Sequence, residues 1–169
     1  MAAELPAPVP FLIAVPSDVE ALWTEPDGAG DLARLDVYGE AGLTERLYAA
    51  TIVLDLSVAH PSERLYGAIG ESVFVRSLYA LDPDISWIGG DALKLEMASV
   101  GAVGAYDDGN GNIVAVRIVG FARDGAERGV MVAGAISTAA AGIRRESIVE
   151  DLTGTVTWRM IDSIQPREN

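Results

Sequence analysis

Short segments rich in valine, isoleucine, threonine and aromatic residues recur along this sequence, separated by clusters of glycine, proline, aspartate and asparagine. The clearest separator is residues 107–112, with the sequence DDGNGN, which lies between two such segments. Asparagine and glycine tolerate the positive φ angles that tight hairpins require. Residues 107–112 and, in the same way, residues 123–129 therefore predict β-hairpin loops, and the recurring pattern favours an antiparallel β protein.

The same pattern divides most of the chain into strands. Predicted strands cover residues 11–15, 32–38, 46–58, 71–81, 92–106, 113–121, 130–136 and 153–164. Residues 137–150 predict a short helical or irregular excursion before the last strand, because Ser137 or Thr138 can cap a helix and the alanines that follow favour one. Residues 1–9 and 165–169 are expected to be frayed ends.

Seven or eight strands, mostly joined by short hairpins, predict one all-β domain over residues 1–169. We expect an antiparallel up-and-down β-barrel of about eight strands, with a β-sandwich as the alternative. Closure of a barrel removes exposed strand edges. About eight strands leave an interior just wide enough for side chains or one small ligand.

Composition excludes several functional classes. Half of the residues are apolar, and the formal net charge is −13. A folded domain with so acidic a surface repels nucleic-acid phosphates and anionic lipid headgroups, so neither is an expected partner. The chain has no apolar run near the roughly 20 residues that cross a bilayer, and its first residues do not resemble a signal peptide. We therefore expect a cytoplasmic protein.

The residue inventory also argues against nucleophilic and metal-dependent chemistry. The chain has no cysteine and a single histidine, His60, which Pro61 follows directly. We interpret His60 as a turn residue, because no partner for a catalytic histidine lies near it in the sequence. No histidine–carboxylate cluster predicts a metal site. The glycines of residues 107–112 lack the helix and lysine that follow a phosphate-binding loop.

The predicted last strand gives one set of candidate site residues. Because side chains alternate between the faces of a strand, Val156, Trp158 and Met160 would share the apolar face that points into the barrel. Trp158 would then form a rigid aromatic wall for a bound molecule. The alternative is that Trp158 is a plain core residue.

The predicted strand over residues 71–81 gives a second set. Its mainly apolar face carries two hydroxyl groups, those of Ser77 and Tyr79. A phenol on an interior face can donate a hydrogen bond to a ligand carbonyl. The alternative is a Tyr79 hydroxyl that bonds to the backbone or faces water.

Three segments together resemble one protein family. They are residues 11–19 (FLIAVPSDV), residues 31–42, which end in YGEAG, and residues 152–160, where LTG is followed by Trp158, Arg159 and Met160. In this order they resemble the opening strand, the second strand with its turn, and the terminal strand of the spirotetronate cyclases. These are β-barrel Diels–Alderases of polyketide biosynthesis.

The resemblance implies a homodimer of eight-stranded barrels that closes a linear polyene tetronate or tetramate by intramolecular [4+2] cycloaddition, without cofactor or metal. Such a reaction needs the reacting ends held together rather than a nucleophile or base. Trp158 and Met160 would line the lumen, Asp18 would lie near its mouth, and Tyr79 is the candidate hydrogen-bond donor. The expected catalytic residues are Tyr79 and Trp158, and the expected substrate-binding residues are Asp18, Ser77, Val156 and Met160.

Two other functions fit the same pattern. A lipocalin-like barrel would bind an apolar small molecule without chemistry. A ring-forming structural β-protein would have a lumen packed with side chains and would form large assemblies.

Overall fold

The computed structural model describes residues 2–5, 8–15, 20–24, 31–39, 42–81, 86–89, 93–107, 113–137 and 154–167. These residues form β-strands and three α-helices. In chain order the elements are β1 (Ala2–Leu5), β2 (Phe11–Ala14), β3 (Glu20–Thr24), β4 (Asp31–Gly39), β5 (Gly42–Val53), α1 (Pro61–Gly70), α2 (Val73–Leu81), β6 (Ser86–Gly89), β7 (Ala98–Asp107), β8 (Ile113–Ala122), β9 (Arg128–Ser137), α3 (Val156–Asp162) and β10 (Gln165–Pro166).

Seven of the strands form one antiparallel sheet in the order β3-β4-β5-β9-β8-β7-β6. The chain builds it as two meanders, β3 to β5 and β6 to β9, which join where β9 pairs with β5. β3 and β6 lie at opposite edges, and among the described strands they do not pair with each other. The sheet is open, so the predicted closed β-barrel is wrong.

The reason is that two segments expected to complete the barrel are helical. Residues 71–81 and 153–164 contain α2 and α3 instead of strands. Helices packed on a sheet bury its apolar faces by forming layers, which removes the need for closure. The all-β class is therefore replaced by a layered α/β architecture.

A second, three-stranded sheet has the order β1-β2-β10. Both outer strands run antiparallel to β2, and Leu5 and Pro166 lie opposite the same residue, Phe11. Residues 1–9 and 165–169 were expected to fray, but strands β1 and β10 lie within them. Pairing with β2 supplies the order that composition alone does not predict.

The predicted hairpins in the second half of the chain are confirmed by the strand pairing. β7 pairs with β8 in a register that places Asp107 opposite Ile113. β8 pairs with β9, and between them the Ala126 N–H donates to the Arg123 carbonyl at 3.2 Å. Gly125 has a φ of 70°, the left-handed conformation that glycine adopts most easily.

β8 and β9 lie in the middle of the large sheet and are buried on both faces. Val116 and Ile118 of β8 belong to the apolar cluster under α1 and α2. Val119 and Phe121 point to the other face, where they pack with residues of α3 and β2. The large sheet therefore separates two apolar cores.

Helix α1 lies in a region with no predicted element. Pro61 occupies its first turn and buried Leu65 and Ile69 are one turn apart. His60 precedes Pro61 in an extended conformation, as expected for a residue before proline.

The loop before α1 has an ordered carboxylate. The Ser57 hydroxyl and backbone N–H both donate to Asp55 Oδ1, at 2.6 and 3.0 Å. These bonds, with a smaller contribution from the Arg64 charge, hold the pKa of Asp55 below its ordinary value.

The predicted strand over residues 71–81 is wrong, because Val73–Leu81 form helix α2. Val75 and Leu78 are buried, at the three-residue spacing of a helix face. Val73 and Tyr79 are exposed. The alternation of Val73, Val75, Ser77 and Tyr79 suggested a strand, and packing of α2 against α1 and β7 selects the helix instead.

The predicted last strand, over residues 153–164, is also wrong, because Val156–Asp162 form helix α3. Its buried residues Val156, Thr157, Met160 and Ile161 follow the spacing of a helix that lies on a sheet. Gly134 of β9 allows the close approach, because a Cβ there would lie 3.0 Å from the Cβ of Thr157. The predicted helical excursion over residues 137–150 lies outside the described residues, except for Ser137 at the end of β9.

Candidate functional site

An apolar cleft opens between the two helices α1 and α2 and strands β7 and β8. Its volume is about 140 Å³. We call it the tyrosine cleft, and it is lined by Tyr66, Ile69, Gly70, Val75, Tyr79, Gly101, Ala102 and Ile118.

The cleft exists because small residues lie opposite the helices. Ala102 of β7 pairs across the sheet with Ile118 of β8, and both line the cleft. A methyl group at position 102 fills little of the space above β7. Gly70, the last residue of α1, adds no side chain at the other wall.

Two phenols give the tyrosine cleft its polar groups. Tyr66 and Tyr79 are 49% and 43% exposed, so both lie at its rim. The Tyr66 hydroxyl donates to the Gly101 carbonyl at 3.2 Å, which fixes that ring over the edge of β7. The lining, as far as the described residues form it, has no carboxylate, imidazole or amine. Such a site can enclose an apolar group, with the two phenols beside its outer end.

The structure places Tyr79 in this cleft but Ser77 outside its lining. Ser77 is exposed on α2, and its hydroxyl donates to the Val73 carbonyl one turn earlier at 2.8 Å. Residues two apart on a helix point in different directions. The expected pairing of these two hydroxyls on one face therefore does not occur.

The other predicted site residues lie on the opposite face of the large sheet. Trp158 is 7% exposed and packs with Val103, Ala105, Ala115 and Ile136. Val156 and Met160 are buried in the core that α3 shares with β2. The large sheet thus separates Trp158 from Tyr79, and Asp18 lies outside the described residues.

Two charged residues that sequence analysis did not single out lie beside Trp158 and below α3. The Arg117 guanidinium carbon is 4.2 Å from the centre of the Trp158 ring, and Arg117 also donates to the Trp158 carbonyl at 3.2 Å. Glu45 accepts hydrogen bonds from the first residues of α3. A signal existed for Arg117, since it is the one charge within the apolar strand β8. Glu45 is one of 25 acidic residues, and its spacing is not distinctive.

Neither a metal site nor a membrane helix emerges from the described part of the chain. No group of three histidine, aspartate or glutamate residues there has the arrangement of a metal site. None of the helices in those residues is long and apolar enough to cross a membrane.

Comparisons with known proteins give structural likeness only. No family model and no curated protein matches the sequence. Among solved structures, the Ran-binding protein Mog1p of Saccharomyces cerevisiae is similar over 92% of this chain and 89% of its own, with a TM-score of 0.54 and 8% identity. The cyanobacterial PsbP of Synechocystis is similar over 93% and 86%, with a TM-score of 0.54 and 8% identity.

A third similar structure is LpqN of Mycobacterium tuberculosis, a protein involved in cell envelope biogenesis. The similarity extends over 92% of this chain and 83% of the LpqN chain, with a TM-score of 0.53 and 16% identity. At these identities the three likenesses establish a shared fold, an open antiparallel sheet packed with helices.

Proposed function

We propose that the protein binds a small apolar molecule, or the apolar end of a larger one, in the tyrosine cleft. The observation that carries this proposal is an apolar cleft of about 140 Å³ with two half-exposed phenols at its rim. Binding sites for small molecules are typically concave and apolar, with a few polar groups that orient the ligand.

The volume of the cleft limits what it can hold. Cavities of about 150 Å³ in other proteins take up benzene, so this cleft suits a single ring or a short alkyl or alkenyl segment. The rest of a longer ligand would lie outside the cleft, past Tyr66 and Tyr79. Burial of so small an apolar group gives weak binding, about millimolar, unless contacts at the rim add to it.

The test is an NMR titration of the protein with toluene. We expect the backbone amides of Gly70, Gly101 and Ala102 to shift together and saturably. Ala102→Leu fills the cleft with a larger side chain and should abolish these shifts in a protein that remains folded. Ala80→Leu, which makes the same substitution at an exposed position of α2, is the matched control and should bind toluene normally.

Two results would contradict the proposal. One is a set of shifts that does not include the residues of the cleft. The other is saturable binding that persists unchanged in the Ala102→Leu variant.

A second candidate is the [4+2] cyclase activity that the resemblance implies. It is favoured by the position of Tyr79, the expected hydrogen-bond donor, in the lining of the tyrosine cleft. In this version the cleft holds one reacting end of a linear polyene tetronate, and the Tyr79 hydroxyl polarises its carbonyl. Trp158 and Met160 would then support the fold from the other face of the sheet.

This activity is tested by incubating the protein with a linear polyene tetronate and following the loss of diene absorbance. The cyclase would be supported if a small amount of protein converts many equivalents of the tetronate and if the rate is about three- to tenfold lower with Tyr79→Phe. A decrease of this size is expected because one hydrogen bond contributes about 0.5–1.5 kcal/mol. Toluene binding without any change in the tetronate would favour a binding protein without chemistry. Size-exclusion chromatography measures the predicted homodimer and would reveal the large assemblies of a structural protein.

A further inference from the structure

A larger cleft lies on the α3 side of the large sheet, away from the tyrosine cleft. Its volume is about 540 Å³, within the usual range for small-molecule sites. We call it the basic cleft, and it is lined by Lys94, Leu95, Glu96, Met97, Arg123, Asp124, Asp162, Ile164, Gln165, Pro166 and Arg167.

One side of the basic cleft is apolar. Ile164 is buried, and Leu95 and Met97 are partly buried against the core that α3 shares with β2. An apolar chain that lies along these side chains would be shielded from water on one side.

The cations of the basic cleft are its most distinctive feature. Lys94, Arg123 and Arg167 are three of the twelve basic residues in a protein with a net charge of −13, and Lys94 is its single lysine. No carboxylate of the described residues forms an ion pair with any of the three.

Two of these cations belong to a connected framework. Arg123 Nη2 donates to the Arg167 carbonyl at 2.6 Å, and the Arg167 N–H donates to the Pro10 carbonyl at 2.7 Å. The hairpin between β8 and β9 is thereby tied to β10 and to the start of β2.

The net charge of the basic cleft indicates the charge of a suitable ligand. Asp162 pairs with Arg117 at 2.8 Å, so that carboxylate is already neutralised. Glu96 and Asp124 offset two of the three cations, which leaves one net positive charge. A monoanion is therefore enough to neutralise this arrangement.

We propose that the basic cleft binds an amphiphilic carboxylate. The carboxylate contacts Lys94 and Arg167, and the apolar chain lies along Leu95, Met97 and Ile164. Because this cleft and the tyrosine cleft lie on opposite faces of the sheet, either proposal can fail without the other.

The test is isothermal titration calorimetry with octanoate as the probe. We expect octanoate to bind with one site per chain, and to bind more weakly as salt rises and screens the exposed cations. Octan-1-ol, which has no charge and forms neither ion pair, should bind at least about threefold more weakly.

Variants locate the site. Lys94→Gln and Arg167→Gln should each weaken octanoate binding by about two- to fivefold, as expected for the loss of one partly exposed ion pair. The backbone bonds of Arg167 do not depend on its side chain, so Arg167→Gln keeps the contact with Arg123. The control is Arg76→Gln, which makes the same change in net charge at an exposed position of α2.

Three outcomes would overturn the proposal. They are the absence of octanoate binding, equal binding of octan-1-ol, and a loss of affinity in Arg76→Gln as large as in Arg167→Gln.

Discussion

At the scale of single residues, the Glu45 carboxylate determines how α3 begins. Its oxygens accept hydrogen bonds from the Val156 N–H at 3.2 Å and the Thr157 N–H at 2.8 Å, and from the Thr157 hydroxyl at 2.7 Å. Thr155, at the N-cap position, makes no capping bond with its side chain. A carboxylate from β5 therefore does what a local capping residue usually does, and its charge also suits the positive end of a helix.

Glu45→Ala should destabilise the protein by about 2–4 kcal/mol, because it leaves two buried N–H groups and a buried hydroxyl without their acceptor. Glu45→Gln keeps an uncharged acceptor and should cost less. Urea unfolding monitored by circular dichroism measures both. Glu71→Ala, at an exposed glutamate between α1 and α2, should change stability by less than about 0.5 kcal/mol. Equal stability of Glu45→Ala and Glu71→Ala would show that the carboxylate does not hold α3.

At the scale of elements, α3 is attached to the sheet by Trp158 and Arg117. The indole fills the space between the helix and β7, β8 and β9, and the guanidinium lies over its ring. Arg117 also bonds Asp162 at the far end of the helix. A cation buried under an aromatic ring and paired with a carboxylate has its charge compensated on two sides.

Trp158→Ala should therefore lower the stability of the folded protein. We expect a loss of about 3–5 kcal/mol in the free energy of unfolding, as for other buried tryptophans that are truncated to alanine. Trp158→Phe keeps an aromatic face over Arg117 and should lose less. Chemical denaturation of the two variants gives the comparison. An alanine variant as stable as the parent protein would mean that the indole is not part of the core.

At the scale of the whole molecule, the sequence predicts the strands better than the layers. β2, β4, β8 and β9 lie where they were expected, because valine and isoleucine runs between turn residues are a local signal. Helices α2 and α3 were missed, because Val73–Leu81 and Val156–Asp162 are rich in β-branched and aromatic residues. Their helical state depends on packing against a sheet formed by distant strands, which periodicity over ten residues does not report.

The same limit applies to the candidate site. Tyr79 was identified through a strand alternation that does not exist, and its place in a cleft comes from its position on α2. Lys94, Arg123 and Arg167 are far apart in the sequence. The pairing of β7 with β8 places Ala98, just after the Lys94 segment, opposite Ala122, and the hydrogen bond from Arg123 to the Arg167 carbonyl joins β10 to the same region. No local pattern contains that information.

The open sheet predicts a gradient of stability across the molecule. β9 and β8 are paired on both sides, while β3 and β6 have one partner each among the described strands. In hydrogen–deuterium exchange, amides of β8 and β9 should exchange slowest, and those of β3 and β6 at least about tenfold faster. Uniform protection across all seven strands would point to closure of the sheet or to a partner that covers its edges.

The three-stranded sheet brings the first and last described strands to the two sides of β2. Ala2 lies opposite Ala14, and Pro166 lies opposite Phe11. Two strand spacings of about 4.8 Å and an offset of three residues put Ala2 and Pro166 roughly 14 Å apart. A linker of about five residues spans that distance. A circular permutant of residues 2–166 is therefore geometrically possible, with Pro166 linked to Ala2 and with new termini in the exposed turn at Asp124 and Gly125.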